Sequence, residues 1–456
     1  MAPTATERAV AELLDQVPGA TVEPDALAAA ALDRSGARPD GLPAVLVLIR
    51  DVVGVQRTLE VAHRHRVPVV PRGAGSGVAG GALAGTGSVV LDLSGLDRIL
   101  EIDPVDELAV VEAGVITAEL DRAAGEHGLR YAPDPASAAI STIGGNVATN
   151  AGGMRCVKYG VTRDAVLGLD VVLADGRLIS TGRRTVKGVA GLDLTSLFVG
   201  SEGALGVVVR ATVRLRALPE TTLTAAAAYD DVAAAARACV SVARARREPS
   251  LLELLDHATL SVVDRAQGTD FATRGRALVV AQAEGPAAAD EIAAIAELLA
   301  KESTWSERGL DEESSERLVL ARRLALPSIE RFGRALIEDI CVPRSRLVDA
   351  FRGVEEIARR TGVDVFTFAH AGDGNLHPII SFDPALAEPP PAVQQAADAI
   401  FALAIELGGT VTGEHGIGSL KRAWLAREVG EDSIEVQRSI KAALDPHGLL
   451  NPGKAL

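Results

Sequence analysis

The sequence is short of cysteine, of positive charge and of long apolar runs, and each shortage closes off a class of function. Only three cysteines occur in 456 residues. Cys156, Cys239 and Cys341 stand far apart with no CxxC pair, so no disulfide framework is expected and a reducing, cytoplasmic setting is. The formal net charge of −15 argues against nucleic acid as a partner, since a protein that binds it needs a basic face to neutralise phosphates. No uninterrupted apolar run of about 18 residues occurs, so no transmembrane span is expected. The one alanine-rich candidate, 224–242, is broken by Tyr229, Asp230, Asp231, Arg237 and Ser241. The amino-terminal stretch "MAPTATERAVAELLDQV" lacks a basic flank before an apolar run and reads as a short amphipathic helix, not a signal peptide. Lysine and aromatics are scarce beside alanine and arginine, a bias of composition more than of mechanism.

What is present describes a soluble globular chain, with 48% apolar and 23% charged residues. Its length exceeds one ordinary core, so two domains are expected. "AVLVLI" (44–49), "DVVGVQRTLEVAHRHR" and "VPVV" read as strand, helix and strand, followed at once by the glycine cluster "PRGAGSGVAGGALAGTG". "SVVLDLSGL", "ILEID" and "ELAVVEAGV" read as strands, "TAELDRAAGEHG" as a helix, and "LGLDVVLADGRLI" as a hairpin around Asp-Gly. Between them, residues 132–160 carry too many Gly, Pro, Ser, Thr and Asn for a regular element, and a loop of that length is usually functional. From about 221 short strands alternate with helix patterns, which predicts an α+β layer: an antiparallel sheet covered on one face. "DPALAEPPPAV" is a connector. The expected domains are 1–218, 219–412, and a segment 413–456 that completes the site and returns to the first domain.

Residues 75–80, "GSGVAG", match GxGxxG after a strand. A Rossmann site requires that motif to open a helix, and Gly80, Gly81, Gly85 and Gly87 leave no room for one between 78 and 88. No lysine follows, which excludes a P-loop. What remains is a loop whose amides form an anion-binding concavity.

In "FAHAGDGNLHPII" (368–380), a two-residue turn at Asp373-Gly374 would set His370 opposite His377 on one face of a hairpin. Neither stretch reads as obviously buried. Two imidazoles so placed can grip one ion, and a structural hairpin stays open on spacing alone. Glu414 in "GEHG" is the natural third ligand. Two histidines and a carboxylate leave a coordination position open, as in catalytic sites, and suit Zn²⁺, with Mn²⁺ or Fe²⁺ as alternatives. His415 beside it is the candidate base.

"PRGAGSGVAGGAL", "TIGGNVATNAGGMRCVKYG" and "GSEGALGVVVRATVRL" resemble the FAD-binding fold of the vanillyl-alcohol oxidase and p-cresol methylhydroxylase superfamily. With "HAGDGNLHP", "GEHGIG" and "LDPHGLLNPGK" the resemblance narrows to FAD-linked D-2-hydroxyacid dehydrogenases, which include D-lactate dehydrogenase and the flavin subunit of glycolate oxidase. It implies an α+β chain: a two-subdomain FAD-binding domain of the p-cresol methylhydroxylase type plus an α+β cap with an antiparallel sheet. It also implies that Pro71, Arg72, Gly73, Ala74, Gly75, Ser76, Gly77, Gly80 and Gly81 wrap the FAD pyrophosphate. Pro133, Asp134, Ser137, Gly144, Gly145, Asn146, Thr149, Asn150, Gly152 and Gly153 would line the flavin. Gly203, Gly206 and Val208 would meet the adenine side, and Asn451 would approach the ring. No histidine lies between 66 and 126 to hold the flavin covalently, so the FAD is expected to be non-covalent.

The same resemblance implies a divalent metal on His370, His377 and Glu414, and Arg322 as the bidentate partner of a substrate carboxylate. Relatives acting on 2-hydroxyglutarate share a threonine four residues and a lysine fifteen residues beyond this arginine. Leu326 and Ile337 stand there, which points to a D-2-hydroxy monocarboxylate such as D-lactate or glycolate. The implied reaction passes hydride from C2 to flavin N5, with His415 as base. The electron acceptor would be a quinone, cytochrome, electron-transfer flavoprotein or iron–sulfur subunit, giving a cytoplasmic protein that is peripheral to the membrane only through that acceptor; a homodimer is left open. The alternatives are a metal-dependent hydrolase and a flavin electron-transfer subunit of a larger complex.

Overall fold

The computed structural model describes residues 3–386 and 388–456; Met1, Ala2 and Ala387, at the edges of the amino-terminal helix reading and inside the connector, lie outside them. The chain forms two compact units. The first comprises 1–153, 160–218 and 414–456, and the second 154–159 and 219–413.

In the first unit, strands Val45–Leu48, Val89–Asp92 and Val69–Arg72 are parallel neighbours in that order. Their valine-rich runs suit a sheet buried on both faces. Helix Val52–His65 makes the crossover. Asp51 starts it by accepting the Gly54 N–H at 2.8 Å, and Val55, Leu59 and Ala62 are its buried stripe. A second, five-stranded antiparallel sheet runs Ile99–Asp103, Leu108–Glu112, Val207–Arg214, Val166–Val172, Leu178–Gly182. No helix or strand forms between Arg72 and Val89, so the glycine run is a loop.

The segment 132–160 is more regular than its composition predicts. Ile143–Thr149 is a helix, and Cys156–Tyr159 is a single helical turn. The first survives two glycines because both ends are capped. Thr142 Oγ1 accepts the Gly145 N–H at 3.2 Å, and Asn150 ends the helix in a left-handed conformation, φ 54°. The Gly144 N–H is used by Ala113 O at 2.7 Å.

The second unit is built on an eight-stranded sheet. Its order is Trp305–Gly309, Thr222–Tyr229, Ala277–Glu284, Leu251–Asp256, Asp364–His370, Asn375–Phe382, Arg334–Ile337, with Ile340–Cys341 also pairing to Asn375–Phe382. Every pairing is antiparallel. Helices cover both faces, not one. Leu223 and Ala225 pack with Ile292 of helix Ala288–Leu299. Ala226 and Ala228, pointing the other way, pack in the cluster that holds Leu318, Ala321 and Ala325 of helix Glu312–Glu330. Two-sided cover explains why Leu251–Asp256 is buried at every position.

Candidate functional site

The first unit carries a cradle. Among the described residues, no backbone N–H from Gly73 to Gly81 donates a hydrogen bond within the protein. Amides left unused in a loop form a concavity for an anion without a helix behind it. Pro71, Arg72, Gly73, Gly144, Gly145, Gly203, Gly206 and Val208 line one cavity together with Thr142, Ser201 and Glu202. Burial holds Arg72 below the usual arginine range, opposed by Asp92 and Asp33.

Other expected flavin contacts have local tasks. Asn146 Nδ2 donates to Thr117 Oγ1 at 2.7 Å, Asn150 Oδ1 accepts the Arg163 N–H at 2.8 Å, and Thr149 Oγ1 donates to Gly145 O at 3.3 Å. Pro133, Asp134, Ser137, Gly152 and Gly153 lie in the loops on either side of the Ile143–Thr149 helix. Asn451 clamps backbone: its Nδ2 donates to Gly81 O at 3.0 Å and Glu202 O at 2.7 Å. Lys454 adds Asn451 Oδ1 at 2.9 Å and Leu83 O. Burial pushes Lys454 down to about 8. The buried Glu202 accepts the N–H groups of Ile417 and Gly418, each at 2.8 Å, and burial pushes its carboxyl up against those two bonds. Glu202 thereby pins the backbone just beyond His415. In that segment the Glu414 and His415 side chains approach to 3.8 Å.

The second unit holds the histidine hairpin, in a register different from the expected one. His370 faces Asn375 and His377 faces Phe368, closed by a four-residue turn, Ala371 to Gly374. Gly374 explains the longer turn. Its φ is +91°, and a Cβ there would lie 2.1 Å from Val342 O, so the turn lies tight against the chain after Cys341. The slip is two residues, an even number, so both histidines stay on one face. Their rings stand 5.0 Å apart, edge to face, with ligand nitrogens within 4.8 Å.

Both imidazoles are buried, each 4% exposed, although neither stretch reads as obviously buried in the sequence. Strand Asp364–His370 lies inside the sheet with neighbours on both sides, and a buried imidazole needs partners. Glu253, fully buried and directly across the ladder from His370, takes its Nδ1 at 2.8 Å. Its other oxygen accepts the Nε–H of Arg322 at 2.5 Å. A carboxylate in that position only accepts, so Nδ1 of His370 carries a proton, and Nε2 is the ring nitrogen that can serve as a ligand. Asp339, also fully buried, sits 4.0 Å from His377 Nδ1 and is fixed by Asn375 Nδ2 at 2.6 Å and Thr412 Oγ1 at 2.8 Å.

Arg322 is not a solvated helix residue. It is 8% exposed, its guanidinium lies 4.2 Å from the Phe368 ring centre, and its two terminal nitrogens make no hydrogen bond among the described residues. The donor set suits a divalent ion: two imidazoles, each with a carboxylate beside it. Leu326 and Ile337 pack against the apolar cluster that includes Phe368.

A family model for the C-terminal domain of FAD linked oxidases matches residues 218–455, and one for an FAD binding domain matches 43–182. The chain belongs to the FAD-linked oxidases. It is 42% identical to the glycolate oxidase subunit GlcD of Bacillus subtilis, over 91% of this chain and 89% of that protein. It is 34% identical to the D-lactate dehydrogenase of Archaeoglobus fulgidus, over 88% and 89% respectively. Among solved structures, p-cresol methylhydroxylase matches its fold with a TM-score of 0.79 at 16% identity, over 99% of this chain and 96% of that one. 4-Ethylphenol oxidase from Gulosibacter chungangensis does so at 0.78 and 18%, over 99% and 97%. This FAD-linked oxidase thus has the p-cresol methylhydroxylase fold, binds FAD and is an oxidoreductase, which removes the hydrolase reading. No helix among its described residues is long and apolar enough to cross a membrane.

Three site residues escaped sequence reasoning: Glu253, Asp339 and Glu202. The first had a signal, as an acid in the middle of the apolar strand "LLELLD", whose other acid, Asp256, stands at its end. Asp339, in "ALIEDICVP", shares its stretch with a second acid, and Glu202 has only a glycine-rich loop around it.

Proposed function

We propose that this oxidase converts a small 2-hydroxy monocarboxylate of the glycolate or D-lactate type to the 2-oxo acid, with non-covalent FAD and a divalent ion on His370, His377 and Glu414. The observation that carries the reading is the buried histidine pair with Glu253 on one ring and Asp339 beside the other. Such pairs orient ligands and raise their basicity. What supports Glu414 is its place in the chain. Gly413 packs against the hairpin so closely that a Cβ would fall 2.3 Å from Asn375 Nδ2, and Glu414 is the next residue. The donors suit Zn²⁺ before Mn²⁺ or Fe²⁺.

Bound FAD supplies a two-electron acceptor, and a bound ion supplies Lewis acidity. The chain's own groups do the rest. Arg322 offers its terminal nitrogens to the substrate carboxylate as a planar fork, with Glu253 and Phe368 holding the guanidinium in place. His415 accepts the hydroxyl proton at an imidazole nitrogen. Leu326 and Ile337 supply no polar partner for a second carboxylate, so a dicarboxylate would leave its far charge unpaired.

The experiment is anaerobic mixing of the FAD-loaded protein with glycolate, D-lactate and D-2-hydroxyglutarate while the flavin absorbance is followed. Bleaching by glycolate or D-lactate, and much slower bleaching by D-2-hydroxyglutarate, is the expected result. A flavin that none of the three reduces, or one that D-2-hydroxyglutarate reduces fastest, contradicts the proposal.

A further inference from the structure

Glu253 takes part in no step of the chemistry above, yet it is a charged group placed deep in the sheet. It is fully buried, and its two oxygens are divided between two functional side chains. Oε1 holds His370 Nδ1 at 2.8 Å, and Oε2 holds Arg322 Nε at 2.5 Å. The division follows from topology. Glu253 and His370 are directly opposed on neighbouring antiparallel strands, which puts their side chains side by side. Arg322 comes from helix Glu312–Glu330, which covers that face. A lone carboxylate in an apolar strand would be costly without such partners.

We propose that Glu253 is a shared positioning residue, one carboxylate that couples ion binding at His370 to substrate-carboxylate binding at Arg322. The inference rests on the functional reading above. Holding Nδ1–H would fix the His370 ring and leave Nε2 to serve as a ligand, while holding Nε–H leaves Arg322 one free face, its two terminal nitrogens. Phe368 fixes the plane of that face, its ring centre 4.2 Å from the guanidinium. A shift of the carboxylate therefore moves both groups at once. A carboxylate serving the ion alone would not need the arginine, and one serving the arginine alone would not need to face the histidine.

Glu253→Gln disturbs both duties at once. The amide oxygen still accepts Nδ1–H from His370, but the amide NH₂ then meets the Nε–H of Arg322, donor against donor. Two quantities are measured on the FAD-loaded variant: affinity for Zn²⁺ and Mn²⁺ by competition with a chelating dye, and kcat and KM with glycolate and D-lactate at saturating ion. Ion affinity is expected to fall about 10–100-fold, the range seen when a group behind a metal ligand is lost, and KM is expected to rise at least about tenfold. Glu253→Gln/Arg322→Met removes the opposed donor. Its ion affinity is expected to return toward wild type while KM stays high, and it also serves if the single variant does not fold.

A folded Glu253→Gln whose ion affinity and KM both stay within about twofold of wild type overturns the proposal, whatever its melting temperature. A double variant that regains KM as well as ion affinity also overturns it. Wild-type protein that takes up no ion would sink the metal reading itself. That outcome is seen in the wild-type titration alone, before any Glu253 variant is compared.

Discussion

Replacing His415 by alanine is expected to slow substrate-driven reduction of bound FAD by about 10²–10⁴-fold, the usual contribution of a positioned general base, while FAD and the divalent ion stay bound. The expectation rests on how the histidine is mounted. Its backbone continues into Ile417 and Gly418, whose N–H groups the buried Glu202 holds at 2.8 Å each. Asn451 ties Glu202 O to the glycine loop through Gly81 O. Truncating the imidazole touches none of these bonds, so the cradle should persist and flavin content should match wild type. Rapid anaerobic mixing separates the outcomes: a lower reduction rate at equal flavin occupancy supports the assignment, and an unchanged rate removes His415 from the chemistry.

His370→Ala and His377→Ala are expected to act differently. Each would remove a proposed ligand, so ion affinity should fall by more than the about 10–100-fold seen for groups behind the ligands. Lewis-acid stabilisation is worth several kcal/mol. At about 1.4 kcal/mol per tenfold in rate, that is about 10³-fold or more in turnover. The fold should hold in both. Without His370, Glu253 keeps Arg322 as its partner; without His377, Asp339 keeps Asn375 and Thr412. Circular dichroism and flavin content check that, and ion titration checks the ligand role. A His370→Ala protein that binds the ion normally would contradict the assignment.

Much of this was legible in the sequence because the relevant signals are local. Glycines at 80, 81, 85 and 87 forbid a helix, and no helix forms there. The shared face of His370 and His377 was legible for a sturdier reason than the register. A two-residue slip keeps every side chain on its face, so an expected opposition of His370 with His377 and an observed one with Asn375 lead to the same pair. The turn length was not legible, because it depends on Gly374 lying against Val342, a contact distant in sequence. Burial of the two histidines depends on which strands flank theirs, and that is topology. Helix Ile143–Thr149 was hidden by its glycines, since composition weighs propensity and misses caps at Thr142 and Asn150. Glu253 was visible as an oddity, but its meaning needed Arg322, 69 positions away.

The proposed chemistry requires both a divalent ion and a bound flavin, and one measurement tests that requirement directly. FAD-loaded wild-type protein is treated with a chelator until no divalent metal remains, then mixed anaerobically with glycolate or D-lactate before and after Zn²⁺ or Mn²⁺ is returned. The account predicts that the stripped protein keeps its FAD, that its flavin stays oxidised with substrate present, and that bleaching resumes when the ion is restored. Metal-free protein that bleaches at the full rate would contradict it.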